Sequence, residues 1–324
     1  MKLSNFFVFV VSIFFSLIVL YLERMVGIDW DYHPDANTYI TYAESAPFIF
    51  SEFMNFFGSG YYFVSNFFNG SLFFLISLNI IIFASTNLLL NNFINKFHLN
   101  NFGYTLAVTL WIFDFYRAHL SVQALKDTII IFLAVLFVSL NFGFFKRIFF
   151  GAIGFYFTIR FIIYSILILP LFKFFTAKRI IIYSAYLLVI ITIFSENIIS
   201  SLDSGRQDSM QFRDFDTVPT FLELGYPYGE TLRAIIWSII RIFPIEFIFH
   251  PIYFLFFTQG LVSIYFLKTY FKKIEKSKLI FLFAGLAALG WSVSGYNSFV
   301  RYTQPIITLL PILVIYILKD EKET

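Results

Sequence analysis

Long apolar runs broken by short polar clusters set the organisation of this chain. Runs near 5–22, 71–90, 102–117, 128–145, 180–195, 246–267, 279–296 and 303–318 predict helices able to cross about 30 Å of hydrocarbon. The interval 148–172 would also span as one helix, but Arg160 sits at its middle. Lysines cluster at Lys146, at Lys173 and Lys178, across Lys268–Lys278, and at Lys319 and Lys322. Short loops rich in Lys and Arg stay cytoplasmic. A full crossing at 148–172 would put Lys173, Lys178 and Arg179 opposite Lys146 and Arg147, whereas a re-entrant or broken helix pair keeps every cluster on one side. The expected fold is therefore all-α and polytopic: about eight transmembrane helices plus this pair, in a single integral membrane domain over 1–324. Both termini are then cytoplasmic, with outer loops at about 23–70 and 196–230. The apolar run that follows Lys2 has no small-residue cleavage site after it, so it reads as a retained first span.

Composition agrees. Hydrophobic residues make up 59% of 324 positions and charged residues 13%, against about 45–50% and about 25% in soluble domains. The 49 Phe exceed what a soluble interior of this size can hide. Zero Cys excludes thiolate catalysis, Cys metal sites and thiol redox chemistry. A net charge of +3, scattered along the chain, excludes a nucleic-acid partner. With no Walker motif, glycine-rich dinucleotide loop or long cytoplasmic loop, ATP is not the expected energy source.

The topology separates the two basic residue types. Lys126 is the one lysine on the outer side, while Arg24, Arg117, Arg160, Arg206, Arg213, Arg233, Arg241 and Arg301 lie in outer loops or within the membrane. Guanidinium forks match phosphate oxygens and never deprotonate. Pairing with the abundant outer carboxylates is the plainer alternative.

Four segments carry candidate chemistry. GIDWDYHPDANTY holds Asp29, Asp31, His33 and Asp35 within seven residues. A carboxylate there can act as general base on a hydroxyl, and Asp35, beside Pro34, is the preferred one. The alternatives are oxygen ligation of a divalent cation or a merely solvated loop. In DFYRAHLSVQALKDT, His119, Gln123 and Lys126 or Asp127 recur at helical spacing and predict a polar stripe, or else a Lys–Asp pair that locks two helices. In ETLRAIIWSIIRIFPIEFIFHP, Arg233, Trp237 and Arg241 share one helical face; Glu246 and His250 follow beyond Pro244. The two arginines otherwise snorkel to headgroups. In SGYNSFVRYTQPIITLLP, Arg301 opens the last span. Arg160, Arg241 and Arg301 would together cost on the order of 10 kcal/mol facing lipid, so they are expected to face partners or an anion such as lipid pyrophosphate.

The HPD carboxylate motif, the polar ALKD helix start, RIFPIE and RYTQP resemble, as a set, bacterial polysaccharide polymerases of the Wzy type and, more distantly, GT-C membrane glycosyltransferases. The resemblance implies a GT-C-like enzyme at the periplasmic face of the bacterial inner membrane. It would join polyprenyl-pyrophosphate-linked oligosaccharide repeat units during O-antigen or surface polysaccharide synthesis. It implies catalytic roles for Asp35, Arg241 and Arg301, and substrate binding by Arg160, Lys126, His33, Arg233, Trp237 and His250. No organic cofactor and no resident metal are called for, with a divalent cation as the alternative. The expected partners are the lipid-linked oligosaccharide, membrane lipid and a chain-length regulator. A single-sugar transferase using polyprenyl-phosphate sugar and a lipid-linked saccharide flippase are the rival readings.

Overall fold

A computed structural model describes residues 3–30, 32–45, 60–96, 101–139, 144–158, 228–242 and 296–319, with scattered positions between 160 and 290. The elements are α1 (Asn5–Met25), α2 (Pro34–Ser45), α3 (Gly60–Phe67), α4 (Leu72–Ile94), α5 (Asn101–Ile112), α6 (Phe115–Ser121), α7 (Asp127–Ser139), α8 (Phe144–Phe157), α9 (Tyr228–Ile242) and α10 (Tyr296–Lys319). No strand occurs among the described residues, so the all-helical class stands. At a rise of about 1.5 Å per residue, α1 and α4, of 21 and 23 residues, are long and apolar enough to cross a membrane. The run expected at 180–195, and most of those at 246–267 and 279–296, lie outside the described residues.

The chain packs as two compact units, Met1–Ser165 with Gln304–Leu309, and Ile166–Thr303 with Leu310–Thr324. In the first, α1 and α4 pack side by side with an inverted polarity. The buried face of α1 carries Val8, Ser12, Phe15, Ser16, Val19 and Glu23, while Phe6, Phe14, Leu17, Ile18 and Tyr21 are exposed. The buried face of α4 includes Asn79, Thr86, Asn87 and Asn91, while Phe73, Phe74 and Ile81 face outward. Several of the inward polar groups pair with one another. Asn87 donates to Ser12 Oγ at 3.0 Å, Asn91 to Asn5 Oδ1 at 2.8 Å, and the Tyr104 hydroxyl of α5 to Asn91 Oδ1 at 2.8 Å. Between them Phe15, Val19, Ile80, Phe83, Ala118 and Val122 form an apolar core. Buried polar groups are tolerable only when paired in this way, and an outward apolar surface suits hydrocarbon rather than water.

Two expected helices are interrupted. The 102–117 run stops at Ile112 and restarts as α6 because Asp114 turns inward as its N-cap, accepting from the Arg117 N–H at 3.1 Å. The polar stripe from His119 to Lys126 is likewise not one helical face: α6 ends at Ser121 and α7 begins at Asp127. Asn79 fills that break, its amide donating to the Gln123 and Leu125 carbonyls at 2.9 and 3.0 Å. These are bonds that a continuous helix would make internally. α8 ends at Phe157, and Arg160 lies in the turn that follows, its N–H donating to Thr158 Oγ1 at 3.3 Å.

In the second unit α9 meets the start of α10 through Trp237 and Phe299, ring centroids 5.7 Å apart. A Cβ on Gly290 would lie 3.1 Å from Ala234 Cα, tighter than an ordinary contact, so the backbone at 290 runs close against α9.

Candidate functional site

Glu23 ends the buried stripe of α1, one turn beyond Val19. The chain leaves the helix there through Gly27, whose φ of +80° is left-handed and open to glycine at no steric cost. The Ile28 N–H returns to the Glu23 carbonyl at 2.9 Å. Arg24 ties down the following loop, with Nη1 at 2.7 Å from Asp29 Oδ1 and from the Ile28 carbonyl. That loop delivers His33 to the start of α2, where Pro34 takes the first helical position, which suits proline because no N–H is needed there.

His119 comes from α6. Its Nδ1–H donates to Glu23 Oε1 at 2.7 Å, and Gln123 Nε2 donates to the second carboxylate oxygen at 2.9 Å. Both oxygens of Glu23 are thus engaged, which fixes the carboxylate and through it the imidazole. The other face of His119 meets His33, with Nε2 to Nε2 at 3.0 Å. A bond between two imidazole nitrogens holds one proton, donated by one ring and accepted by the other. Tyr32 stands edge-on to both rings at 5.3 and 5.8 Å. The result is a carboxylate–imidazole–imidazole chain built from α1, α6 and the loop before α2. Its first two members are largely buried and His33 is half-buried.

Further along α2, Tyr39 is buried with its ring 4.8 Å from Tyr61 and 4.9 Å from Tyr62. Lys126 Nζ lies 5.9 Å from the same ring, within cation–π range. The Tyr61 hydroxyl is held in its neutral form by burial, reinforced by the Asp127 carboxylate and only partly opposed by the Asn79 amide, which donates to it at 3.3 Å. Burial and the nearby Asp35 carboxylate likewise raise Tyr62. Asp35 and Lys126 therefore both lie beside one group of tyrosines in the first unit.

The arginines are distributed differently. Arg160 belongs to the first unit, Arg241 and Arg301 to the second. Arg241 is 1% exposed, Nε donating to Thr303 Oγ1 at 3.3 Å and Nη2 to Gln259 Oε1 at 2.7 Å. Trp237 is buried one turn before it, as the four-residue spacing requires. Arg301 reaches the Tyr302 hydroxyl at 3.1 Å. Phe299 and Thr303 of α10 face α9, and Arg301, two residues from each, falls on the opposite side of that helix. Arg233 lies within α9, its side chain outside the described residues, as is His250 altogether.

Glu23 and the pairing of His33 with His119 are the features that spacing along the chain did not single out. The signal for Glu23 was available: a carboxylate four residues beyond Val19, inside the last turn of an apolar helix. Among the described residues no group of three or more His, Cys, Asp or Glu side chains is arranged to hold a metal ion. No protein-family model, no curated protein and no solved structure matches the chain.

Proposed function

We propose that this protein is an integral membrane glycosyltransferase of the polymerase type, transferring a saccharide from a polyprenyl-pyrophosphate carrier to an acceptor hydroxyl at the outer face of the bacterial inner membrane. The observation that carries the reading is the Glu23–His119–His33 chain at the end of an apolar helix. A sugar hydroxyl is a poor nucleophile until a base removes its proton. Here the proton passes to the His33 imidazole, from its Nε2 to Nε2 of His119, and the imidazolium so formed is stabilised by Glu23. The acceptor oxygen bonds to the anomeric carbon, and the carrier pyrophosphate leaves with the electron pair. Asp35, in the first turn of α2, is the second candidate for the base or orients the acceptor. Lys126, held against the Tyr39 ring, and the tyrosines around it bind sugar. The inverted polarity of α1 and α4 supports a hydrocarbon surround, which the further spans would share.

The test is mass spectrometry of lipid-linked saccharides in cells lacking the gene and complemented with wild type, H33Q or K126Q at equal membrane abundance. The proposal expects complete single repeat units to accumulate without the gene. H33Q should lower transfer by about 10²–10⁴-fold, the usual contribution of a positioned base. Normal long chains with both variants would overturn the site. A saccharide short by one sugar would identify a single-sugar transferase, and complete units trapped on the cytoplasmic leaflet a flippase.

A further inference from the structure

The two histidines that share a proton are also arranged as a chelate. Nitrogens bound to one tetrahedral zinc at about 2.0–2.1 Å lie about 3.3 Å apart, with ring centres about 5.2 Å apart. His33 and His119 have Nε2 atoms 3.0 Å apart and centroids 5.1 Å apart. A cation entering between them needs ring movements of only a few tenths of an ångström. The outer side of His119 is already prepared: a ligating imidazole characteristically donates its other N–H to a carboxylate, which fixes the tautomer and raises ligand basicity. His119 Nδ1–H does this to Glu23, and Gln123 holds that carboxylate in turn. The two ligands come from segments 86 residues apart, so the chelate exists only in the folded chain.

We propose that His33 and His119 form a two-histidine site for a divalent transition-metal cation of the zinc or nickel class, with Glu23 as the positioning carboxylate. Both Nε2 lone pairs go to the metal, and His33 shifts to its Nδ1–H tautomer as the proton between the rings leaves that position. Water completes the shell. Imidazole nitrogen selects against hard cations, so zinc and nickel bind where magnesium and calcium do not. The assignment rests on the geometry of the pair and not on the saccharide-transfer reading. The two stand or fall separately, although an occupied site would take the lone pair that transfer requires.

The experiment is isothermal titration of the full-length protein in detergent with zinc chloride, then with nickel, magnesium and calcium chlorides. One zinc per chain is expected. H33Q or H119Q should each abolish binding, whereas E23Q should retain it at about 10–100-fold weaker affinity, the usual cost of losing a supporting carboxylate. The chain has only two other histidines, His98 and His250, so H98Q serves as the control and should bind as wild type does. Absence of stoichiometric zinc binding to wild type overturns the site without reference to any variant's folding. Undiminished binding in H33Q, or magnesium binding equal to zinc, overturns it as well.

Discussion

The buried Asp114–Arg117 pair fixes the helix that carries His119, and removing its acid has a calculable cost. Asp114 uses its two oxygens for different tasks: Oδ1 caps α6 through the Arg117 N–H, and Oδ2 accepts from Arg117 Nε at 3.1 Å. Both side chains are almost inaccessible, 4% and 1% exposed. Losing an N-cap costs about 0.5–2 kcal/mol, and leaving a buried charge without its counter-ion about 3–5 kcal/mol. Arg117 keeps its bonds to Asn87 Oδ1 and the Trp111 carbonyl, which favours the lower half of the second range. Asp114→Ala is therefore expected to destabilise by about 4–5 kcal/mol. Asp114→Asn keeps a good cap and should lose about 3 kcal/mol, all of it electrostatic.

The discriminating measurement is a double-mutant cycle. Arg117→Met combined with Asp114→Asn removes both charges, retains the cap and fills the space with an unbranched apolar chain. The double variant should be more stable than Asp114→Asn alone, although it carries one more substitution. Equilibrium unfolding of the purified protein in detergent, followed by helical circular dichroism, reads the differences. If Asp114→Asn lies within about 0.5 kcal/mol of wild type, a typical neutral surface effect, or if the double variant loses the sum of the single losses, the pair does not hold α6 and the reasoning fails.

Two further outcomes follow from the same unit. Asn79→Leu leaves the Gln123 and Leu125 carbonyls buried without their donor, at about 1–3 kcal/mol each, so the midpoint in the same unfolding assay should fall, and an unchanged midpoint would mean that the break between α6 and α7 is held by other contacts. Tyr61 is held above its ordinary value of 10.0 in the folded state. Its contribution to stability is accordingly complete below about pH 10 and is lost as pH rises through the higher folded value, because the unfolded chain gives up its proton first. Stability should fall on alkalinisation above about pH 10 less steeply in Tyr61→Phe than in wild type; identical alkaline limbs would refute this.

The long apolar runs were legible because helix length against hydrocarbon is a simple periodic quantity, and α1 and α4 lie within a few residues of the runs at 5–22 and 71–90. What the runs concealed were the interruptions. Asp114 caps a helix and Asn79 feeds two carbonyls from 44 and 46 residues away, and neither effect has a signature in local hydropathy. Of the expected grouping, His119 and Gln123 do converge, on Glu23, whereas Lys126 turns to Tyr39, since the helix on which the spacing depended does not continue through 122–126.

Glu23 shows why the site was only half legible. Read along the chain, it is the residue before Arg24 and invites pairing with it. Folded, it belongs to the buried stripe of α1 and meets residues 96 and 100 positions away, while Arg24 turns to Asp29. An ionisable residue at the end of an apolar helix costs too much to bury alone, so its position already demanded a partner; only the packing of α1 against α6 could say which. The same packing brings His33 to His119, and so a loop motif that looked self-contained became one end of a hydrogen-bonded chain. The cluster is made by how α1 and α6 converge, whereas the sequence motif contributes one imidazole and the proline that sets its helix.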